Sequence, residues 1–112
     1  MKSIVVLVAN DGLGHADPAL RHKMMSILLK LFDSSGVLPS KICFYTEGVK
    51  LVAEGSPVLA ELRAVEAKNV ELIVCRTCLE YFGLEDKVAV GIVGGMTDIV
   101  EAMWKADSVI TV

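Results

Sequence analysis

Five short apolar runs divide the chain, and segments with helical periodicity lie between them. The runs are SIVVLVA (3–9), KICFYT (41–46), ELIVC (71–75), VAVGIV (88–93) and SVITV (108–112). Each run is rich in β-branched residues, and several are apolar continuously rather than alternately. Continuous apolarity is typical of strands that are buried on both faces of a parallel sheet. We therefore predict five strands in this order.

The longest helical pattern follows the first strand. Asp17 is expected to cap a helix that has Pro18 at its first position, and Gly36 is expected to end it. We interpret the segment as an amphipathic helix in which apolar residues recur at helical spacing. Its apolar stripe comprises Leu20, Met24, Ile27, Leu28 and Leu31.

Three shorter helices are predicted in the remaining segments. Ser56 and Pro57 open the second, with Leu59, Leu62 and Val65 on its buried face. Residues 78–82 form the third, which Gly83 ends, and Thr97 caps the fourth. Strand and helix thus alternate strictly, without a linker or repeat. The alternation predicts one α/β domain over residues 1–112, with three α/β/α layers around a five-stranded, mainly parallel sheet.

Composition limits the classes of partner. Of the 112 residues, 54% are hydrophobic and 22% are charged, and this apolar excess favours self-association into a homo-oligomer. The net charge of −3 and the absence of a Lys/Arg cluster argue against a nucleic-acid partner. No run approaches the roughly 18 apolar residues of a membrane span. The apolar run at 4–9 lacks the features of a signal peptide, so we expect a cytoplasmic protein with reduced thiols.

The loops that follow the first four predicted strands are the candidate functional edge, because ligands of open parallel sheets sit beyond the carboxyl ends of the strands. These loops are NDGLGHAD, TEGVK, CRTC and GGMTD. Within them we select as binding or supporting residues Asn10, Asp11, Gly12, His15, Thr46, Gly48, Arg76, Thr77, Gly95 and Met96.

Cys75 and Cys78 are the candidate catalytic residues. They stand three positions apart where a predicted strand passes into a helix, so backbone N–H groups and the adjacent Arg76 are expected to stabilise a thiolate. A thiolate at this position suits attack on a sulfur donor or a disulfide. The alternative is that two small residues merely pack under a helix. Cys43, in the middle of a predicted strand, is expected to be a packing residue.

Other sites fit the sequence poorly. Gly12 and Gly14 match two glycines of the dinucleotide fingerprint, but Asp17 replaces the third and would repel a pyrophosphate. One Cys-x-x-Cys pair supplies only two of the four ligands of a structural zinc. We therefore expect neither a metal nor an organic cofactor. A thioredoxin-like oxidoreductase is less favoured, because such enzymes carry the motif after an earlier strand and place a cis-proline opposite it.

The run CRTCLEYFGL, together with NDGLGHADPAL, EGVKLVAEGSPVLAEL and GGMTDIVEAMWKADSVITV, resembles the DsrE/DsrF-like family of small sulfur-relay proteins. It is most similar to the DsrE-like domain of YedF-type proteins, which are associated with selenium metabolism. The resemblance implies a five-stranded parallel sheet, a dimer, trimer or hexamer, and sulfur carried as a persulfide. It places the reactive cysteine eight residues before the helix-ending glycine, at Cys75.

The same resemblance implies partners and shows two departures. The partners would be sulfur-donor and sulfur-acceptor proteins, including a TusA-like protein acting in trans. Gly95 and Thr46 stand where the family pattern leads us to expect Asn. Three hypotheses follow: a persulfide carrier or sulfurtransferase-like protein that uses Cys75 with Cys78, a thiol–disulfide redox protein that uses the same pair, and a non-enzymatic oligomeric binding module.

Overall fold

The structure is a computed structural model that describes residues 2–112. Its strands are β1 (Ile4–Val8), β2 (Lys41–Phe44), β3 (Glu71–Cys75), β4 (Ile92–Gly94) and β5 (Ser108–Thr111). Its α-helices are α1 (Pro18–Ser35), α2 (Leu59–Glu66), α3 (Arg76–Phe82) and α4 (Met96–Lys105), and a 3₁₀ helix spans Thr46–Val52.

All five strands form one parallel sheet in the order β4-β3-β2-β1-β5. The chain moves in one direction from β1 to β4, so right-handed crossovers place α1, α2 and α3 on one face. The return from β4 to β5 runs the other way and carries α4 across the opposite face. Contacts of α1 with α2, and of α4 with β3 and β4, agree with this arrangement. The predicted three-layer α/β/α fold is confirmed.

The core lies on both sides of the three inner strands. Phe44 and Val74 are completely buried, and every residue of β2 and β3 after the first is buried. The apolar runs thus form strands because helices on both faces exclude water from both sets of alternating side chains. Among residues 2–112, no polar or charged residue is buried. No helix of this part of the chain is long and apolar enough to cross a membrane.

Helix α1 begins and ends where the sequence predicts. The Asp17 carboxylate accepts a hydrogen bond from the Leu20 N–H at 3.1 Å, Pro18 occupies the first turn, and Gly36 ends the helix at φ 75°. Only glycine adopts this left-handed conformation without a Cβ penalty, so the position suits Gly36.

The predicted apolar stripe of α1 is wrong as a description of its buried face. Met25 and Leu29 are the buried residues instead. Four of the five stripe residues are between 39% and 56% exposed: Leu20, Met24, Ile27 and Leu31. Helix α1 lies beside α2, and Asp33 Oδ1 of α1 lies 2.8 Å from Lys68 Nζ in the segment that follows α2. The exposed stripe lies on the opposite side of the helix, where no element of residues 2–112 covers it.

Three other helices begin at different residues from those predicted. Helix α2 starts at Leu59 rather than at Pro57, and α3 starts at Arg76 rather than at Cys78. Helix α4 starts directly after Gly95, whose N–H donates to the Asp98 carboxylate at 2.8 Å. This bond satisfies a backbone donor at the helix start, which makes Thr97 part of the first turn rather than its cap.

The predicted fourth strand is largely wrong. Only residues 92–94 join the sheet, because Gly91 turns the chain at φ 86° immediately before them. Val88 instead forms an isolated antiparallel bridge with Ala53. The 3₁₀ helix at Thr46–Val52 was also not predicted. Its 7 residues make up half of the segment between the end of β2 and the start of α2.

Candidate functional site

The two cysteines lie at the carboxyl end of β3, next to the end of β2. Phe44 of β2 is paired with Val74 of β3, so the residues that follow both strands meet at one edge of the sheet. Cys75 is the last residue of β3, and Cys78 lies in the first turn of α3. The sheet order therefore brings the loop after β2 against the thiols, although 32 residues separate Thr46 from Cys78.

The two thiols differ in their access to solvent. Cys75 has 0% exposure, whereas Cys78 is half-buried. Both are free thiols that lie near each other, though not at disulfide distance. The Thr46 N–H donates a hydrogen bond to Cys78 Sγ at 3.0 Å. The site thus contains one enclosed thiol and one that a molecule in solution can approach.

Thr46 adopts an unusual backbone conformation at this junction. Its φ is 48°, and a positive φ is uncommon for a β-branched residue. Its Oγ1 lies 2.7 Å from the carbonyl oxygens of both Ala9 and Tyr45, and these two acceptors share its single hydroxyl hydrogen. These bonds join the ends of β1 and β2, and they hold the conformation that directs the Thr46 N–H at Cys78 Sγ.

Burial raises the pKa of the Cys78 thiol, and a hydrogen bond with Cys75 raises it further. The hydrogen bond from the Thr46 N–H acts in the opposite direction, since it stabilises the thiolate. The net direction is the opposite of the lowering that the sequence led us to expect. Arg76 is not among the groups that shift this pKa; it is exposed and lines a separate cavity with Leu79 and Glu80.

Cys43 lies in the middle of β2 with 0% exposure. Burial raises its pKa to about 11, and the charges of Lys41 and Glu71 make smaller contributions of opposite sign. A thiol held neutral in the core is a poor nucleophile, which agrees with the packing role expected from its position.

Gly48 is a close-packing residue of the 3₁₀ helix. A Cβ at this position would collide with the carbonyl oxygen of Val8, at the end of β1. Gly48 therefore allows the 3₁₀ helix to lie against the strand end, which places Thr46 beside Ala9. Its contribution to the site is through the backbone, because glycine has no functional side chain.

The glycine-rich loop after β1 is held mainly by bonds within itself and to α1. The Asn10 side chain donates to the Gly14 carbonyl oxygen at 2.8 Å and accepts from the Asp11 N–H at 2.8 Å. Asp11 Oδ1 lies 3.2 Å from His22 Nε2. Gly12 is buried at φ 129°, where a Cβ would clash with Arg21. These contacts favour a structural turn.

His15 lies away from the thiols, on the side of the site nearest β5. It is exposed and lines an open cavity of about 490 Å³ together with Asn10, Gly14, Thr111 and Val112. The structure therefore groups Asn10 and His15 with β5, and it brings Thr46, Cys75 and Cys78 together at the end of β2 and β3.

The remaining predicted residues make no hydrogen bond to either thiol sulfur within residues 2–112. Gly95 and Met96 form the start of α4, where Met96 is 40% exposed. Thr77 is exposed in the first turn of α3. Arg76 lines a cavity of about 320 Å³ with Leu79, Glu80, Glu85 and Val93. Their assignment to the site stays a prediction.

Two features of the loops at this edge of the sheet were missed by sequence reasoning. The Lys50 ammonium group lies 4.6 Å from the centre of the Phe82 ring, on one wall of a cavity of about 350 Å³ that Asp11 and His22 also line. The Ala9 carbonyl oxygen anchors Thr46. Neither carries a sequence signal, because each depends on the 3₁₀ helix lying against β1 and α3. Among the described residues, no group of three or more His, Cys, Asp or Glu side chains could hold a metal ion.

Comparison with known proteins identifies the family. The model of the DsrE/DsrF-like family matches residues 2–112, which is nearly the whole chain. The chain belongs to the DsrE/DsrF-like family. A search of the curated proteins finds no match.

Solved structures share the fold of this chain. The chain resembles the ychN protein from E. coli at 20% identity and a TM-score of 0.75, with 100% of each chain covered. It also resembles MTH1491 of Methanobacterium thermoautotrophicum, at 14% identity, a TM-score of 0.74 and full coverage of both chains. It also resembles BT1422 of Bacteroides thetaiotaomicron at 16% identity and a TM-score of 0.72, with 98% of this chain and 95% of that chain covered. At these identities the likeness shows the shared fold, and the last two are described as proteins of unknown function.

Proposed function

We propose that this DsrE/DsrF-like protein is a sulfurtransferase-like carrier that holds one sulfur atom as a persulfide on its Cys-x-x-Cys pair and passes it to a partner protein. The observation that carries the proposal is the pair of free thiols at the end of β3, of which Cys78 accepts the Thr46 N–H. Membership of a family often associated with sulfur relay supports it. The transfer is thiol exchange, so it requires no organic cofactor.

The proposal is tested by intact mass measurement after exposure of the protein to inorganic polysulfide. A carrier gains one sulfur atom, and dithiothreitol removes it. The double substitution Cys75→Ala/Cys78→Ala should abolish the gain, while Cys43→Ala, which leaves the pair intact, should retain it. A gain in the double variant would locate the chemistry elsewhere.

The same measurement separates the two competing hypotheses. A thiol–disulfide redox protein would lose two hydrogens without gaining sulfur, and either single substitution at Cys75 or Cys78 would abolish the change. The redox hypothesis ranks second. The two thiols lie near each other, which it requires, but they are not at disulfide distance. A binding module whose cysteines only pack would show neither change.

We also propose that the partners are sulfur-donor and sulfur-acceptor proteins, with a TusA-like protein acting in trans as one acceptor, and that they meet this chain in the cytoplasm. A persulfide carrier needs reduced thiols, and that compartment keeps cysteines reduced. Incubation of the persulfide form with a purified TusA-like protein should move the added sulfur mass to it. Repeating the loading with a selenium donor tests whether the site also takes selenium.

Self-association is proposed from the exposed stripe of α1. Leu20, Met24, Ile27 and Leu31 form one apolar band, and Ile110 of β5 is 49% exposed at the edge strand beyond β1. Sedimentation velocity should show an oligomer that Ile27→Glu dissociates. Trp104→Glu is the control, because Trp104 is 84% exposed on α4, across the sheet. Dissociation by Trp104→Glu alone would move the interface to α4.

A further inference from the structure

We propose that Cys78 is the thiol that receives sulfur from the donor, and that Thr46 is its positioning residue. This inference rests on the proposed function of persulfide carrier, and it reverses the order in which the resemblance ranks the two cysteines. The first argument is access. Sulfur transfer requires the donor's outer sulfur atom to touch the attacking Sγ, and Cys75 has 0% exposure, whereas Cys78 is half-buried.

The second argument is the hydrogen bond at Cys78 Sγ. Thr46 donates its backbone N–H to this atom at 3.0 Å, and a charged acceptor makes such a bond stronger. The donor belongs to the main chain at φ 48°, and Oγ1 holds it through the carbonyl oxygens of Ala9 and Tyr45. The Thr46 N–H is therefore already oriented toward Cys78 Sγ before a sulfur donor binds. It stabilises the thiolate before transfer and can stabilise a persulfide anion afterwards.

The transfer step balances without an added oxidant or reductant. The Cys78 thiolate attacks the outer sulfur of a persulfide or polysulfide donor, R–S–SH, and a new S–S bond forms at Cys78. The bond between the two donor sulfurs breaks, and its electron pair leaves with R–S⁻. The proton released by the Cys78 thiol goes to this leaving thiolate. Cys75, the enclosed thiol that lies nearby, acts only after this step.

The test follows the position of the first sulfur atom. The protein is exposed briefly to glutathione persulfide, alkylated and digested with trypsin, which cuts after Arg76 and so separates Cys75 from Cys78. At the earliest times we expect the added sulfur on the peptide that begins at Thr77. Sulfur first on the peptide that ends at Arg76 would overturn the proposal while leaving the carrier function intact.

Single variants give an independent measurement of the same order. Cys75→Ala should gain sulfur at a rate within about twofold of the wild type, and Cys78→Ala should lose at least about 90% of the initial rate. The opposite pattern would overturn the proposal. If wild-type protein gains no sulfur at all, the proposed function fails, and this inference fails with it. The peptide experiment uses wild-type protein, so it remains decisive if Cys75→Ala does not fold.

Thr46 is tested through the pH profile of Cys78 alkylation by iodoacetamide. Thr46→Val loses the Oγ1 anchors and disfavours the positive φ, so the profile should move upward by about one pH unit and the rate at neutral pH should fall about tenfold. Thr46→Gly permits the positive φ and keeps the N–H, so its rate should stay within about threefold of wild type.

The matched control is Thr97→Val, the same chemical change at an exposed residue of α4. It should leave the alkylation profile unchanged. A Thr46→Val profile that overlays the wild type in a folded protein would remove Thr46 from its positioning role. A shift in Thr97→Val as large as that in Thr46→Val would attribute the effect to general destabilisation.

Discussion

Two of the three inner strands, β2 and β3, and the two outer strands, β4 and β5, come from similar apolar runs but have different surroundings. Every residue of β2 and β3 after the first is buried, whereas Ile92 of β4 is 62% exposed and Ile110 of β5 is 49% exposed. An inner strand has a neighbour on each edge, and an outer strand has only one. An apolar run therefore predicts a strand, and its position in the sheet decides how much of it is buried.

The candidate functional residues lie at the carboxyl ends of β2 and β3. Thr46 comes after β2, and Cys75 and Cys78 come at the end of β3, so the hydrogen bond between Thr46 and Cys78 joins the ends of two inner strands. The loop after β4, which begins α4 at Gly95 and Met96, shows no such bond to either thiol. A rigid inner pair can hold a thiol and its donor in fixed positions, and this is what a transfer site needs.

The largest expected effect comes from truncating a large side chain of the inner pair. Phe44→Ala removes a ring with 0% exposure, and it should lower the free energy of unfolding by about 3–5 kcal/mol. Ile110→Ala on the outer strand should cost less than about 1.5 kcal/mol, because half of its side chain already contacts solvent. Urea titrations at low protein concentration measure both. Equal losses would contradict the comparison between inner and outer strands.

The next effect is a pH dependence of the unfolding free energy, caused by Cys43 of β2. Its folded pKa is raised to about 11 from 9.0, so the folded protein holds this proton when the unfolded chain has lost it. The contribution of the neutral Cys43 thiol to the unfolding free energy is fully present below pH 9.0. It should be lost as the pH rises from there through the folded pKa. The loss by pH 11 should be roughly 2–3 kcal/mol.

Cys43→Ala is the control for this pH dependence. It removes the titrating group, so the slope of unfolding free energy against pH between 9 and 11 should be smaller than in the wild type. Parallel slopes in the two proteins would show that other groups cause the alkaline loss.

A moderate effect is expected from a methyl group at Gly48. Gly48→Ala places a Cβ against the Val8 carbonyl oxygen, so the 3₁₀ helix must shift, at a cost of roughly 1–3 kcal/mol. Gly95→Ala, at the N-cap of α4, is the matched substitution, because its Cβ would meet only ordinary contacts. Its cost is the weaker N-cap preference of alanine, so it should lower the unfolding free energy by about 1 kcal/mol or less. Thermal melting of both variants checks the difference.

The smallest effect is expected at the ion pair between α1 and the segment after α2. Lys68 Nζ lies 2.8 Å from Asp33 Oδ1, and both side chains are more than 40% exposed. Lys68→Gln should therefore lower stability by less than about 1 kcal/mol, and the difference should shrink in high salt. A larger loss that persists in high salt would indicate that the bond from Lys68 to the Asp33 carbonyl oxygen matters more.

Local signals predicted the parts of the fold that depend on local chemistry. The apolar runs located four of the five strands well, and Asp17, Pro18 and Gly36 located both ends of α1. The run at 88–93 misled, because Gly91 interrupts it and Val88 pairs with Ala53 outside the sheet. The stripe of α1 misled for a different reason: helical periodicity shows that a face is apolar, and it does not show which neighbour covers that face.

By itself the sequence determined that the protein is an α/β fold with a Cys-x-x-Cys motif at the end of its third strand, and its resemblance to the DsrE/DsrF-like family agrees with the family match. Periodicity and turn residues act over a few positions, so they can be recognised without the folded chain. Only the tertiary structure decided that Cys75 is enclosed, that Cys78 is half-buried, and that Thr46 donates to it. Burial and contacts between distant residues depend on strand order and layer packing, which local patterns do not specify.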